Sequence, residues 1–207
     1  SPFNKPLLAE TVTLEQLIAK IQKAYDETVD FTAVFKQKAM MKSINKTVTE
    51  EGTLHLKKPQ MMFWDYTKPA LKKLVLNPQK AWLYMPEENT VYVQDAESLL
   101  SSKITIRFLT GIGNLQEDFA IAFSKPDYRN GKGDYLITLK PNTYEAGVKR
   151  LLLTINRDSY YIAGCTFVDM YENRTELTFT DVVINKGIPD TLFTFVPPED
   201  AEVYNIP

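Results

Sequence analysis

The sequence predicts a mainly β fold, in which one curved or barrel-like antiparallel sheet of ten to eleven strands is covered by helices on an open side. Three observations predict it. Apolar and polar residues alternate over many short segments, and turn-forming residues separate these segments roughly every 8–12 positions. The 207 residues also include 11 Tyr, 11 Phe and 2 Trp but only 8 Gly, which favours sheets with large apolar surfaces.

One helix is predicted before the strands. Thr13 and Gln16 have the spacing of a capping box, in which each side chain satisfies the backbone N–H of the other residue. Apolar residues then recur at helical period, at Leu14, Leu17, Ile18, Ile21 and Tyr25. This one-sided helix must dock on an apolar surface. We expect residues 1–12 to form a loosely ordered N-terminal segment.

After Asp30 the hydrophobic period changes from that of a helix to that of a strand. Alternation predicts strands at 31–38 and around Leu54, Trp64, Leu74, Trp82 and Val91, and later at 118–124, 134–140, 149–157, 160–170, 174–184 and 191–196. Pro197-Pro198 is expected to end the sheet. Residues 96–113 are too densely apolar for an edge strand, so we expect one or two short helices there.

Composition and motifs exclude several classes of function. A net charge of −2 and a pI near 5.6 give no support for nucleic-acid binding. One Cys (Cys165) and one His (His55) exclude a disulfide framework and any multi-Cys or multi-His metal site. The chain has no nucleophile elbow, P-loop or dinucleotide fingerprint, so we expect no enzyme, cofactor or metal. No stretch is long and apolar enough to cross a bilayer as a helix, and the length fits a single domain over 1–207.

Charge is distributed unevenly along the chain. Residues 36–80 carry ten Lys against three acids, a net charge of +7, whereas residues 158–207 carry nine acids against two basic residues, a net charge of −7. Two interpretations remain open. The sheet brings the two segments together and their charges cancel, or a basic rim steers the protein towards an acidic partner or an anionic lipid.

Large apolar side chains occupy both faces of several predicted strands. Met61 and Phe63 oppose Met62, Trp64 and Tyr66 in the alternation. One face can pack on the N-terminal helix, and the other then needs a second cover or a ligand. A sheet that closes around a cavity would line it with such residues, but the insert at 96–113 could equally fill that space as ordinary core.

Four segments in order resemble one family. Residues 51–69 (EGTLHLKKPQMMFWDYTKP) combine a Gly, an alternating strand, a basic-basic-Pro turn, an aromatic strand and a second Pro. This pattern resembles the periplasmic lipoprotein carriers called LolA-like proteins. Residues 31–37 (FTAVFKQ), the hairpin around Leu74 and 82–84 (WLY), and 193–198 (FTFVPP) followed by Val203 are similar to further segments of that family. The resemblance covers roughly residues 13–204.

The resemblance implies an incomplete, half-open antiparallel barrel of about eleven strands, with the N-terminal helix and a short helical lid over a hydrophobic cavity. It implies a periplasmic carrier, its signal peptide removed, that shields the acyl chains of lipoproteins and ferries them from the inner to the outer membrane. The implied partners are an acylated lipoprotein or lipid cargo, an inner-membrane ATP-driven lipoprotein transporter and an outer-membrane receptor. We expect a monomer.

Strand parity and the resemblance together predict the residues of the cavity. Seven strand residues and four lid residues are expected to line it: Phe31, Phe35, Met62, Trp64, Tyr66, Trp82, Tyr84, Leu99, Leu100, Phe108 and Leu109. Gly111 and Gly113 are expected to act as hinges of the lid. Where the family usually has an Arg that holds the lid closed, this sequence has Lys58, which offers a point charge in place of a bidentate fork, so we expect a weaker or rearranged latch.

Three alternatives to a carrier remain at this point. A regulatory protein on the same scaffold would sense a lipid, a lipoprotein or a membrane-anchored regulator and would usually have a second domain. An outer-membrane receptor would need a lipidated N-terminal Cys. An enzyme that uses two carboxylates distant in sequence would need a polar cleft in place of an apolar one.

Overall fold

The computed structural model describes residues 11–102, 104–110, 115–143 and 147–207, and its dominant feature is one large sheet. The sheet has twelve strands: β1 (Asp30–Met41), β2 (Lys46–Lys57), β3 (Met61–Lys68), β4 (Lys72–Leu76), β5 (Lys80–Met85), β6 (Thr90–Asp95), β7 (Phe119–Phe123), β8 (Tyr135–Pro141), β9 (Arg150–Ile155), β10 (Ile162–Val168), β11 (Arg174–Ile184) and β12 (Glu202–Asn205). The predicted mainly β fold is confirmed.

The strand order is β12-β6-β5-β4-β3-β2-β1-β11-β10-β9-β8-β7. Two meanders meet at the long strand β1, which pairs with β2 on one side and β11 on the other. The end strands β12 and β7 are not neighbours in this order, so the sheet is open and does not close into a barrel. It has one strand more than expected. It is also mixed, because β12 runs parallel to β6 where an entirely antiparallel sheet was expected.

The N-terminal helix α1 (Leu14–Asp26) forms where the sequence predicts it. The Thr13 hydroxyl accepts from the backbone N–H of Gln16 at 3.1 Å, and the Gln16 side chain accepts from the backbone N–H of Thr13 at 3.0 Å. This capping box satisfies two helix-end donors. Leu17, Ile18 and Ile21 are buried. Residues 1–10 of the expected loose segment lie outside the described residues.

Three short helices follow β6: α2 (Ala96–Ser102), α3 (Ile104–Thr110) and α4 (Leu115–Asp118). The predicted helical insert is therefore confirmed, and α2 with α3 is called the lid below. The lid buries Leu99, Ile106, Phe108 and Leu109. Its predicted hinges, Gly111 and Gly113, lie outside the described residues.

Both α1 and the lid bury their apolar residues in the main core on one face of the sheet, called the inner face. This core includes Leu17 and Ile21 of α1, Leu99 and Phe108 of the lid, and strand residues from β1 to β11 such as Phe35, Leu54, Trp64, Ile137, Leu151 and Phe179. At about 25 cal/mol per Å² of apolar surface, burial of this kind is the dominant stabilisation of the fold.

The opposite, outer face of β3 is covered by the segment that follows β11. Met61 of β3 packs there with Ile188 and with the fully buried Phe193, and Phe63 packs against them. Phe193 belongs to a 3₁₀ helix, Asp190–Phe193, so the strand predicted at 191–196 is wrong. Phe193 anchors this cover through its burial against Met61 and Ile188. Pro197-Pro198 do not end the sheet either, since β12 follows them.

Candidate functional site

The candidate site is built on a row of large apolar side chains across the inner face. Trp64 lies opposite Leu54 of β2 and Leu74 of β4. Leu74 in turn lies opposite Leu83, and Leu83 opposite Tyr92. Directly paired residues point to the same side of a sheet. Five neighbouring strands therefore present large apolar side chains at the same level.

Gly52 lets β2 and β3 approach closely next to this row. A Cβ atom at Gly52 would lie 2.0 Å from the carbonyl oxygen of Asp65, a contact that no side chain can make. The β2–β3 register also shifts between Glu51 and Gly52. The glycine of the sequence pattern thus marks a β-bulge that sets the position of Tyr66, its partner on β3.

A pocket of about 590 Å³ lies between this row and the lid, and it is called the larger pocket. Its apolar wall consists of Trp64, Leu74, Ala81, Leu83 and Tyr92 from the sheet and Leu99 and Ile106 from the lid. Ile206, just after β12, also contributes. The volume is in the range of pockets that bind small organic ligands, and the wall is of the apolar kind typical of them.

Most polar groups of the larger pocket lie at one end, around Lys72, whereas Gln94 lies beside Ala81 at the other end. Lys72 forms an ion pair with Glu50 at 2.9 Å, and its ammonium lies 4.1 Å from the centre of the Tyr66 ring. The Tyr66 hydroxyl donates a long hydrogen bond of 3.5 Å to the Gln37 side chain. Burial, with a smaller contribution from Glu50, raises the pKa of Tyr66 above its usual range, so the phenol stays neutral. The pocket is therefore amphipathic.

Trp64 is the largest side chain of the wall and is 1% exposed. Its ring makes edge-to-face contact with Phe35, at 5.0 Å between ring centres. Among the buried side-chain nitrogen and oxygen atoms of the described residues, only its indole Nε1 has no hydrogen-bond partner.

A smaller pocket of about 360 Å³ lies where the end of α1, the β2–β3 turn and the end of α3 meet. Lys58 contributes to it, and its ammonium donates to the carbonyl oxygen of Tyr25 and, at 3.4 Å, to that of Asp26. A cation suits these carbonyls, because the C-terminal end of a helix carries partial negative charge. Lys58 therefore binds α1, where the resemblance implied a latch that holds the lid.

Nearby, the Tyr25 hydroxyl accepts from the backbone N–H of Ile162 at 3.1 Å, and the Tyr25 ring packs edge-on against Tyr161. Burial raises the pKa of Tyr25. The end of α1 is thus attached to β10 as well as to the β2–β3 turn.

The structure distributes the predicted cavity residues over the two pockets, the core, the core margin and the outer face. Trp64, Tyr66 and Leu99 line the larger pocket, and Phe31, Met62 and Leu109 the smaller one. Phe35 and Phe108 are core residues, and Leu100 packs at the core margin. Phe108 contacts Phe119 and Phe167 edge-on.

Trp82 and Tyr84 lie on the outer face, so the prediction that they line the cavity is wrong. Trp82 pairs with Val75, and Tyr84 with Lys73, both of which alternate with the inward residue Leu74. Tyr84 packs against Phe195 of the outer cover, at 5.2 Å between ring centres. The alternation in β5 was detected correctly, but its inward set is Ala81 and Leu83. A shift of one residue in phase exchanges the two faces.

Sequence reasoning missed several residues of the larger pocket: Gln37, Lys72, Leu74, Leu83, Tyr92, Gln94, Ile106, Thr175 and Ile206. Strand parity was sufficient to find Leu74, which lies opposite Trp64. The pairing of β5 with β4 was needed for Leu83, and no local signal could place Thr175 or Ile206.

The other chemically notable residues have ordinary surroundings. His55 stacks on Phe63 on the outer face and contacts the Thr32 hydroxyl at 3.1 Å. Cys165 is a free thiol in the core, where burial raises its pKa. Across the described ranges, no three His, Cys, Asp or Glu side chains are grouped as a metal site. Of the helices that the structure describes, none combines the length and apolar character needed to cross a bilayer.

The sequence of this chain is similar to one known protein family over most of its length. Residues 26–196 match the family model described as "Outer membrane lipoprotein carrier protein LolA". The chain belongs to the LolA family. The match spans the sheet from just before β1 to beyond the 3₁₀ helix, and it includes every residue of the apolar wall except Ile206.

Two relatives are named outer-membrane lipoprotein carrier proteins. The one from Hahella chejuensis is 28% identical over 175 residues, which cover 84% of this chain and 80% of the relative. The one from Pseudomonas paraeruginosa is 27% identical over 194 residues, which cover 94% and 88%. Among solved structures, an uncharacterized conserved protein from Thermus thermophilus has a TM-score of 0.59 at 11% identity, with 93% of this chain and 98% of that chain covered. This likeness shows the fold. By the description of its model, the LolA family is one of lipoprotein carriers.

Proposed function

We propose that this protein is a periplasmic carrier that shields the acyl chains of a lipoprotein in the larger pocket during transfer between membranes. The observation that carries the proposal is the apolar wall of that pocket, which joins the inner face of β3–β6 to the lid in a LolA-family chain. We also propose that residues 1–207 form one carrier domain.

The physics of transport explains why such a pocket is needed. Transfer of an acyl chain out of water is worth about 0.8 kcal/mol per buried CH₂ group. Transfer of a long acyl chain from a membrane into water therefore costs on the order of 10 kcal/mol of free energy. A carrier lowers this barrier by offering apolar walls of its own, and the wall from Trp64 to Tyr92 has that character.

The lid supplies a route for loading and release. Leu99 and Ile106 face the pocket from helices of seven residues each. Isolated helices this short are marginal in water, so most of their stability comes from packing. We propose that the lid yields its apolar contacts to the cargo and recovers them after release. The proposed partners are an inner-membrane ATP-driven lipoprotein transporter as donor and an outer-membrane receptor as acceptor.

Uptake of a fluorescent palmitate analogue tests this proposal. Leu83→Glu places a carboxylate in the wall of the larger pocket, and we expect it to weaken binding at least about tenfold, because a charge is costly to bury beside an acyl chain. Trp82→Glu is the matched control in the same strand. Its side chain lies on the outer face, so we expect uptake close to that of the unmodified protein.

Mass spectrometry of gently purified protein should also show co-purified acyl lipid or lipoprotein. The carrier proposal fails if the protein neither retains acyl lipid nor binds the palmitate analogue. Binding of a peptide from a membrane-anchored regulator without any acyl binding would instead support the regulatory alternative.

A further inference from the structure

One side chain in the wall of the larger pocket has a buried hydrogen-bond donor without a partner. Trp64 is 1% exposed and lines this pocket, and its indole N–H has no acceptor among the described residues. A buried N–H without a partner is destabilising, and buried polar groups in folded proteins nearly always have one. A Phe at this position would fill most of the same space without that penalty.

The chemistry of an indole limits what can satisfy it. The indole nitrogen is only a donor, so its partner must be an acceptor. Leu74, Leu83 and Leu99 of the wall are apolar, and the pocket's acceptor side chains, Gln37, Tyr66, Gln94 and Thr175, make no hydrogen bond to the indole. A ligand that suits both features is an acyl chain that still has its carbonyl group.

We propose that Trp64 recognises the acyl carbonyl of the ligand. When the lid yields its contacts to the cargo, the buried indole N–H becomes accessible and donates a hydrogen bond to the ester or amide oxygen, while the chain lies along Leu74 and Leu83. This inference rests on the proposed carrier function and adds chemical selectivity to it. The pocket would then distinguish acyl groups from hydrocarbon chains of equal length.

The polar groups near Lys72 fit a ligand whose carbonyl lies at Trp64 and whose headgroup points towards Lys72. Tyr66 follows Trp64 on the same face of β3, and Lys72 lies opposite Tyr66 on β4. The Lys72–Glu50 ion pair and the Gln37 amide therefore lie one residue pair beyond the Trp64 row. A carbonyl at Trp64 would place the more polar part of the ligand towards these groups and its chain towards the apolar wall.

A pair of ligands tests this inference in the unmodified protein. Monopalmitoylglycerol and hexadecyl glyceryl ether share their headgroup and chain length, but only the first has a carbonyl. We expect the ester to bind about tenfold more tightly, the effect of one hydrogen bond to a donor that is otherwise unsatisfied. Palmitoylethanolamide, the amide probe, shows whether the site also accepts an amide oxygen. The carbonyl stretch of the bound ester should lie below that of the same ester in an alkane solvent, where it accepts no hydrogen bond.

Trp64→Phe removes the donor and keeps an aromatic ring. We expect this variant to bind the ester and the ether within about twofold of each other, without the carbonyl shift. Trp82→Phe is the matched control, since Trp82 lies on the outer face; it should keep both the selectivity and the shift. Trp64→Phe also removes buried volume, so a lower melting temperature of the empty variant would reflect lost packing; the ratio of ester to ether affinity is the readout that lost packing alone would not change.

The outcomes separate this inference from the proposed function. Equal binding of ester and ether by the unmodified protein would overturn the role of Trp64 and leave the carrier intact. Failure of all these ligands to bind would overturn the carrier function itself. If Trp64→Phe fails to fold, the ligand pair and the carbonyl shift in the unmodified protein still decide the matter.

Discussion

At the scale of single residues, Asp30 connects the start of β1 with the segment that follows β11. These two places lie near the two ends of the region that matches the family. Its carboxylate accepts from the backbone N–H groups of Lys186 at 2.7 Å, Gly187 at 2.9 Å and Ile188 at 3.2 Å. Burial by itself raises the pKa of Asp30, but these three donors and the nearby Lys57 outweigh it and lower the pKa. Asp30 thereby fixes the start of the segment that covers the outer face.

We predict that Asp30→Asn lowers the free energy of unfolding at neutral pH by about 1–3 kcal/mol, the cost of losing charged hydrogen bonds. Because the pKa is lower in the folded protein, the contribution of Asp30 is present above the unfolded-state pKa of about 3.9 and is lost as pH falls through the folded value. The variant should therefore lose less stability in acid than the unmodified protein.

Urea unfolding at neutral and acid pH measures both effects. Asp158→Asn is the control, since the Asp158 side chain is 85% exposed, and we expect it to change stability by less than about 0.5 kcal/mol. An acid dependence that is the same with and without the Asp30 carboxylate would contradict the prediction.

At the scale of elements, α1 is held at its C-terminal end by contacts that come from distant strands. Lys58 donates to its last carbonyls, and the Tyr161 hydroxyl donates to the carbonyl oxygen of Ala24 at 3.1 Å. The same end borders the smaller pocket. Lys58, which the resemblance places at the lid latch, therefore holds α1 and not the lid.

We predict that Lys58→Met loosens this end of α1. Loss of the cation should lower stability by about 0.3–1 kcal/mol and speed amide hydrogen exchange at residues 22–28. Lys68→Met is a matched control, because Lys68 also precedes a cis proline but pairs with Glu51 away from α1. Unchanged exchange at 22–28 in Lys58→Met would show that the contact does not hold the helix.

At the scale of the whole molecule, the charge asymmetry of the sequence does not simply cancel across the sheet. Within the described residues, Lys57–Asp190 at 2.7 Å is the ion pair that joins the basic and acidic segments. Lys36, Lys68, Lys72 and Lys73 pair instead with Glu50, Glu51 or Asp65 of their own segment. Part of the positive charge of residues 36–80 is therefore neutralised by acids within that segment and not by residues 158–207.

Also at this scale, we predict that ligand binding stabilises the lid together with the sheet. Palmitoyl ligand at about 100 times its dissociation constant should raise the free energy of unfolding by about 2.7 kcal/mol. Hydrogen exchange should slow in α2 and α3, because Leu99 and Ile106 contact the pocket. Leu83→Glu should show neither effect at the same concentration. Protection that spares the lid would argue against its role as the cover of the cargo.

Elements with strong local signals were predictable from sequence. The capping box located α1, alternation located most strands, and apolar density located the lid. The phase of β5 was not predictable, because both of its faces carry large side chains and only pairing with Leu74 shows that Leu83 points inward. The 3₁₀ helix Asp190–Phe193 resembled a strand for a similar reason, since its apolar residues pack against β3 and not within a sheet.

The amino-acid sequence by itself determined the family, the mainly β architecture, the helical cover and the inward position of Trp64 and Tyr66, because these depend on local period, turn residues and ordered motifs. Only the tertiary structure decided that β12 pairs in parallel with β6, that Lys58 binds α1, and that Trp82 and Tyr84 face outward. The physical reason is that each of these depends on which distant backbone or side chain satisfies a given group. Packing over the whole sheet selects that partner, and the residues next to it in sequence do not indicate which partner it is.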